Sequence, residues 1–394
     1  MTFWKSCLVA GVLAAATFAP VAADDMIVEK KTFALPSYTT VAGATIKDVK
    51  IGWEAYGTLA ADKSNAILIN HFFSGNSHAA GKYKADDKLP GYWDAIIGPG
   101  KAIDTNKYYV ISSDTLVNLN TGLAPTVTTG PASIDPDTGK PYGTNFPVVS
   151  IADFVRVEKA LVESLGIKKL RMVAGASMGA LQTYEWAASN PEMVDRIMPV
   201  IGTAFADDFL VGWLDVWADP IRADQNWNGG DYYGKEPPLA GLAAALKVVS
   251  HHASHWEITD EVNAGAWADP AKDPAKSLDA RFKVQATLDA AGAIRAKVSD
   301  ANHFLYLVKA NQLYAPGGAK SLDEAAAKIR APALVIYQPK DLVFPGVAVE
   351  ASIAALKKAG NPVESIVLQG KRGHLDGVLS MAQAADAIRA FVDK

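Results

Sequence analysis

The chain has 394 residues, with 38 Lys and Arg against 42 Asp and Glu for a formal charge of −4; 49% of residues are apolar and 20% charged. An apolar fraction this high with so little net charge excludes disorder and allows a large buried core, in one big domain or two ordinary ones. The slight acidic excess argues against a nucleic-acid partner, which needs surplus Lys and Arg to meet phosphates.

The N-terminus reads as a secretory leader. Lys5 supplies a positive start, an apolar run extends from Cys7 to about Phe18, and Pro20-Val21-Ala22-Ala23 puts small residues where a signal peptidase cuts. The run is too short to span a bilayer as a helix. Residues 1–23 are therefore expected to be removed and the product to be periplasmic or secreted. Cys7, the single cysteine, would go with the leader, leaving no disulfide, thiolate metal site or cysteine nucleophile. No later stretch is long and apolar enough to anchor the mature chain in a membrane.

Beyond the leader, short apolar runs alternate with helical patterns, as in parallel strands joined by crossover helices. Strands are predicted at 66–70, 108–112, 170–174, 197–201, 333–337 and 365–368, each mostly apolar on both faces. Helices are predicted at 151–165, 178–189, 347–359 and 378–392, the first from the helical spacing of Val155, Leu161, Val162 and Leu165. From about Phe205 to Ala326 the pattern is helical without a convincing strand, and it carries Trp213, Trp217, Trp227, Trp256 and Trp267. The expected organisation is an α/β core over 24–205 and 327–394, interrupted by a helical insertion over 206–326.

The segment Gly175-Ala-Ser177-Met-Gly179 follows a predicted strand and opens a predicted helix. That is the context of a nucleophile elbow, where small neighbours let a strained turn lift the serine hydroxyl above the sheet. The Met178 N–H and the helix dipole would face the same point. A serine nucleophile needs a base and the base an orienting acid, both later in the chain. His374 and Asp341 stand in loops after the last two predicted strands, at the carboxyl edge of the sheet. His374 would take the Ser177 proton, and Asp341 would fix the imidazole tautomer. Asp376 is a rival acid, but two residues from His374 it is badly placed to reach Nδ1. The turn His71-Phe-Phe-Ser-Gly75 after the strand at 66–70 offers the Phe73 N–H as a second oxyanion donor. His251, His252 and His255 are read as capping or solvated groups, not metal ligands, and the insertion tryptophans as core or pocket lining. No cofactor is expected.

At these residues the sequence resembles the homoserine O-acetyltransferase family of the α/β-hydrolase fold. The likeness extends through Trp53–Leu59, His71–His78, Gly91–Thr105, Thr129–Gly143 and Trp227–Tyr232. It implies a mostly parallel central sheet with helices on both faces, a helical lid, a Ser-His-Asp triad working through an acyl-enzyme, and often a homodimer through the lid. It also implies substrate-reading positions at which this chain departs. The family's acid after the catalytic histidine is here Leu375, with Asp376 displaced by one. The Arg and Tyr that follow the family's Gly-Leu-Ala motif are here Leu246 and Ala253, with Lys247 one residue off, and the family's Cys-containing loop is replaced by Thr115–Asn120. An amino-acid zwitterion would lose its charged partners, and burying unpaired charge is costly. An exported enzyme would also not meet cytosolic acetyl-CoA. The expected activity is hydrolysis of an ester or related small acyl compound. The alternatives are O-acyl transfer from a thioester to a hydroxyl and, more remotely, binding without catalysis.

Overall fold

The apolar runs assemble into one eight-stranded sheet in the computed structural model, which describes residues 26–394. The leader, Cys7 and the expected cleavage point lie outside the described residues. The strands are β1 (Lys31–Thr39), β2 (Thr45–Tyr56), β3 (Ala66–Asn70), β4 (Tyr109–Ser113), β5 (Met172–Ala176), β6 (Ile197–Val200), β7 (Ala333–Tyr337) and β8 (Val363–Val367). Their spatial order is β1-β2-β4-β3-β5-β6-β7-β8. β1 pairs antiparallel with β2, and β2 with β4; every pairing from β4 to β8 is parallel. This is the arrangement expected of the α/β-hydrolase fold.

β3, β5 and β7 are buried at every position, which is why they read as unbroken apolar runs. Alternate side chains enter different layers: Leu68 belongs to the core layer that holds Ile51, Phe154 and Leu181, whereas Ile67 and Ile69 belong to the one that holds Trp93, Met172 and Phe391. Each fully buried Leu or Ile contributes roughly 1.5–3 kcal/mol. β8 differs from expectation. As the edge strand it exposes Glu364, Ser365 and Val367, so it is not apolar on both faces.

The β1–β2 hairpin has no counterpart among the predicted strands. β1 carries Pro36 and is mostly exposed, and the two-residue alternation of β2 breaks at Asp48. Asp48 has a φ of 49°, so Ile46 and Val49, three apart, both turn inward. The period-2 pattern is lost there.

Helices α1 (Ile151–Ser164) and α2 (Met178–Ser189) flank the sheet. Between β6 and β7 come α3 (Asp208–Ala223), α4 (Leu239–His252), α5 (Trp256–Asn263), α6 (Lys283–Ala296), α7 (Ala301–Gln312) and α8 (Leu322–Lys328). α3 packs on α4 and α7, and α4 on α6, forming the lid; α8 packs on α2 and on α9 (Gly346–Lys358) of the core. The helix predicted at 378–392 is broken into α10 (Asp376–Leu379), a 3-10 turn at Met381–Ala384 and α11 (Ala385–Asp393). Ser380 ends the first piece, its hydroxyl turning back to Asp376 at 2.7 Å. Among the described residues no helix is long and apolar enough to cross a membrane.

Register fixes where the loops emerge. Asn70, the last residue of β3, lies opposite Gly175 of β5, and Val200 of β6 lies opposite Ile336 of β7. The turn after β3, Ser177, and the loops after β7 and β8 therefore leave the sheet at one edge.

Candidate active site

Ser177 occupies the single residue between β5 and α2, at φ 57° and ψ −120°. Glycines make this turn possible. A Cβ on Gly175 would lie 2.4 Å from the Gly179 carbonyl oxygen, and one on Gly179 would lie 2.2 Å from that of Asn70. The Ser177 N–H donates to Val200 O at 2.9 Å and holds the strained residue against β6.

The structure brings Ser177, His374 and Asp341 together. His374 Nε2 lies 2.9 Å from Ser177 Oγ, and its Nδ1 lies 2.7 Å from Asp341 Oδ2. Asp341 is buried, and its Oδ1 accepts from the N–H groups of Val343 at 2.8 Å and Phe344 at 3.0 Å. That leaves Oδ2 aimed at the imidazole. An Nδ1–H donating to Asp341 leaves Nε2 free to accept the serine proton.

Asp376 is elsewhere. Fully buried, its carboxylate accepts from Gln338 Nε2 at 3.1 Å, Arg372 N–H at 3.1 Å and Ser380 Oγ at 2.7 Å. Lys247 is also engaged, pairing with Asp289 at 2.7 Å, while Arg281 pairs with the other Asp289 oxygen. Leu246 and Ala253 are buried in the lid. The Phe344 ring centroid is 5.9 Å from that of His374, and Phe73, in the turn after β3, packs edge-on against Trp217 of α3 and Phe304 of α7.

The N–H groups of Phe73 and Met178 have no acceptor among the described residues. Both flank the edge from which Ser177 projects, at the turn after β3 and the first turn of α2.

Sequence reasoning missed the ties between lid and loops. Gly373, at φ +63°, sets the turn into His374, and a Cβ there would crowd His255 and Lys340 O at 3.1 Å. Lys340 pairs with Glu257 of α5 at 2.6 Å and Lys371 with Glu261 at 2.7 Å. The charges flanking Asp341 and His374 were visible, but their partners sit over 80 residues away, beyond any local pattern.

The insertion histidines diverge. His251 is exposed, and His255 caps α5, its Nδ1 3.4 Å from Glu257 N–H. His252 is buried, with Nδ1 accepting from Trp217 Nε1–H at 3.2 Å and Nε2 facing Leu342 O at 2.9 Å. Burial pushes its pKa below the usual histidine range. Among the described residues no group of three His, Cys, Asp or Glu could hold a metal ion. Trp213 stacks on His252 and, with Phe209, Val248, Trp256, Phe282 and Leu342, lines a lid cavity of about 920 Å³. Ser177 and His374 are not among its lining residues. Trp267, expected in core or pocket, is exposed in the segment after α5.

No family model matches the chain. It is 39% identical to a homoserine O-acetyltransferase of Methanosphaerula palustris over 89% of this chain and 70% of that protein. It is 35% identical to that of Solidesulfovibrio magneticus over 93% of each. Among solved structures, esterase E22 is 46% identical with a TM-score of 0.90, covering 93% of this chain and all of that one. The homoserine O-acetyltransferase of Bacillus anthracis is 34% identical with a TM-score of 0.89, covering 94% and 98%. The chain is thus an α/β-hydrolase-fold enzyme, a hydrolase or acyltransferase, and belongs to the homoserine O-acetyltransferase family.

Proposed function

We propose that the protein is an exported serine hydrolase that cleaves a small, uncharged ester through an acyl-enzyme. His374 takes the Ser177 proton as Oγ attacks the acyl carbon, and Asp341 stabilises the imidazolium that forms. The N–H groups of Phe73 and Met178 stabilise the oxyanion. His374 then protonates the leaving alkoxide, and a water activated by the same imidazole releases the acid.

The observation that carries hydrolysis over homoserine acetylation is where the displaced charges go. Asp376 and Lys247, each one residue off the family's ammonium- and carboxylate-binding positions, are both engaged with other groups. Leu375 in place of the family's acid and the Phe344 ring beside His374 offer a zwitterion no charged partner, whereas an uncharged ester needs none. The 1–23 leader supports export, away from acetyl-CoA. Exposed Phe209, Trp256 and Phe282 on the lid suit the homodimer that the family resemblance implies.

Acyl transfer to a hydroxyl is the second reading, favoured by identity to homoserine O-acetyltransferases over most of the chain. One experiment separates the two. Purified protein from residue 24 onward is given p-nitrophenyl acetate and, separately, acetyl-CoA with and without homoserine. Ester hydrolysis with no homoserine-dependent release of CoA is expected. Homoserine-dependent release contradicts the hydrolase reading.

A further inference from the structure

The turn after β3 holds its functional peptide by a device outside the reacting groups. We propose that His71 is a positioning residue that sets the Phe72–Phe73 peptide by donating from Nδ1 to the Phe72 carbonyl, so that the Phe73 N–H on the opposite side of that peptide is held toward the oxyanion. The inference rests on reading Phe73 as an oxyanion donor.

The tautomer follows from the neighbours. His71 Nε2 lies 3.2 Å from the Thr115 N–H and 3.2 Å from Asn118 Nδ2, both donors, so Nε2 accepts and Nδ1 carries the proton. That proton faces Phe72 O at 2.8 Å, and the Gly75 N–H reaches the same oxygen at 2.8 Å. The C=O of Phe72 and the N–H of Phe73 belong to one planar trans peptide and point opposite ways. Fixing the carbonyl on one side therefore fixes the donor on the other. The imidazole is fully buried, and burial pushes its pKa down, so it stays neutral.

The supporting loop is itself strained. Val117, β-branched and buried, has a φ of 52°, a conformation that persists only where surroundings enforce it. Asn118 Nδ2 also donates to Gly75 O at 3.0 Å, and Asn120 Nδ2 to Ser74 O at 3.0 Å. The loop 115–120 thus brackets both the imidazole and the turn. The Phe73 side chain is gripped separately by Trp217 and Phe304, so the peptide and the ring have independent supports.

Isosteric variants test this. Asn places an amide donor near the Nδ1 position, whereas Gln reaches toward Nε2 and leaves Phe72 O without its side-chain donor. With p-nitrophenyl acetate, His71→Gln is expected to lower kcat by about 10- to 100-fold, below the loss typical of deleting an oxyanion donor outright, with KM within about twofold. His71→Asn is expected to recover most of that loss. Melting temperatures of both are read alongside. Equal kcat losses in the two variants, or a kcat loss tracking only the fall in melting temperature, overturns the inference. Should His71→Gln not fold, Asn118→Ala removes one of the two donors holding Nε2. It is expected to lower kcat with KM unchanged, and an unchanged kcat overturns the inference. Ser177→Ala is run in parallel: persisting turnover there removes the serine-hydrolase reading itself, while a dead Ser177→Ala beside a fully active His71→Gln removes only the role of His71.

Discussion

His252, on lid helix α4, faces the carbonyl of Leu342 at 2.9 Å, one residue past Asp341. Its other nitrogen accepts from Trp217 on α3. One buried imidazole therefore joins two lid helices to the loop that carries the candidate acid. His252→Leu leaves the buried Trp217 N–H without its acceptor and the Leu342 carbonyl without this donor, a cost of about 1–3 kcal/mol. Calorimetry is expected to show a lowered melting temperature, and kinetics a loss of kcat. Wild-type values for both contradict the coupling.

The buried histidines' share of the stability should fall on mild acidification. His71, His252 and His303 are each pushed by burial below their ordinary value of 6.5. In that window the unfolded chain binds more protons than the native one, so the stabilisation present above pH 6.5 is lost as pH falls toward the depressed values. A second loss is expected between pH 4.5 and about 2. Burial raises the Glu54 pKa, but the His78 hydrogen bond, the Lys30 charge and the Tyr83 hydroxyl outweigh it and hold Glu54 at about 2. Urea unfolding at pH 8, 6, 5, 4, 3 and 2 reads both limbs, in the Glu158→Gln background so that the opposing titration of that raised carboxyl drops out; a flat profile from pH 8 to 2 contradicts them.

Glu158 has the opposite sign. Burial pushes it up to about 7, against the hydrogen bonds from Trp186 and Ser113. Its contribution is complete below pH 4.5 and is lost as pH rises through 7. Glu158→Gln keeps an acceptor for the Trp186 N–H without the charge. It is expected to gain about 1–3 kcal/mol over wild type at pH 8 and little at pH 5, read by denaturant midpoints. An equal effect at both pH values contradicts the assignment.

The strained elbow predicts a split between stability and activity. At φ 57° and ψ −120°, Ser177→Gly relieves backbone strain that Ser177→Ala keeps. The glycine variant is expected to be more stable than the alanine variant by about 1 kcal/mol, with both inactive on p-nitrophenyl acetate. Equal stability contradicts a strained elbow.

Much of this was legible in the chain because the informative residues sit where local pattern is strong. β3 and β7 are unbroken apolar runs, and α2 begins directly after Ser177, so Ala66–Asn70, Ala333–Tyr337 and Met178–Ser189 stand where expected. Order along the chain then placed Asp341 and His374 at the edge where Ser177 stands. The β1–β2 hairpin was hidden by Pro36 and by the positive φ of Asp48, and the break in the last helix by a hydrogen bond of Ser380. His71 reads as part of a turn, and its partners Thr115 and Asn118 lie more than 40 residues on. His252 likewise meets Leu342 across 90 residues. Such long-range bonds have no local period or spacing to announce them.

In the proposed mechanism the Ser177 hydroxyl is made nucleophilic by His374. Its most direct test is intact and peptide mass spectrometry after treatment with a fluorophosphonate. A single adduct on Ser177 in the wild type, none in Ser177→Ala, and labelling slowed at least about a thousandfold in His374→Ala are the expected results. Undiminished labelling in His374→Ala rules out activation by His374, and undiminished labelling of Ser177→Ala, or a wild-type adduct on another residue, rules out Ser177 as the nucleophile.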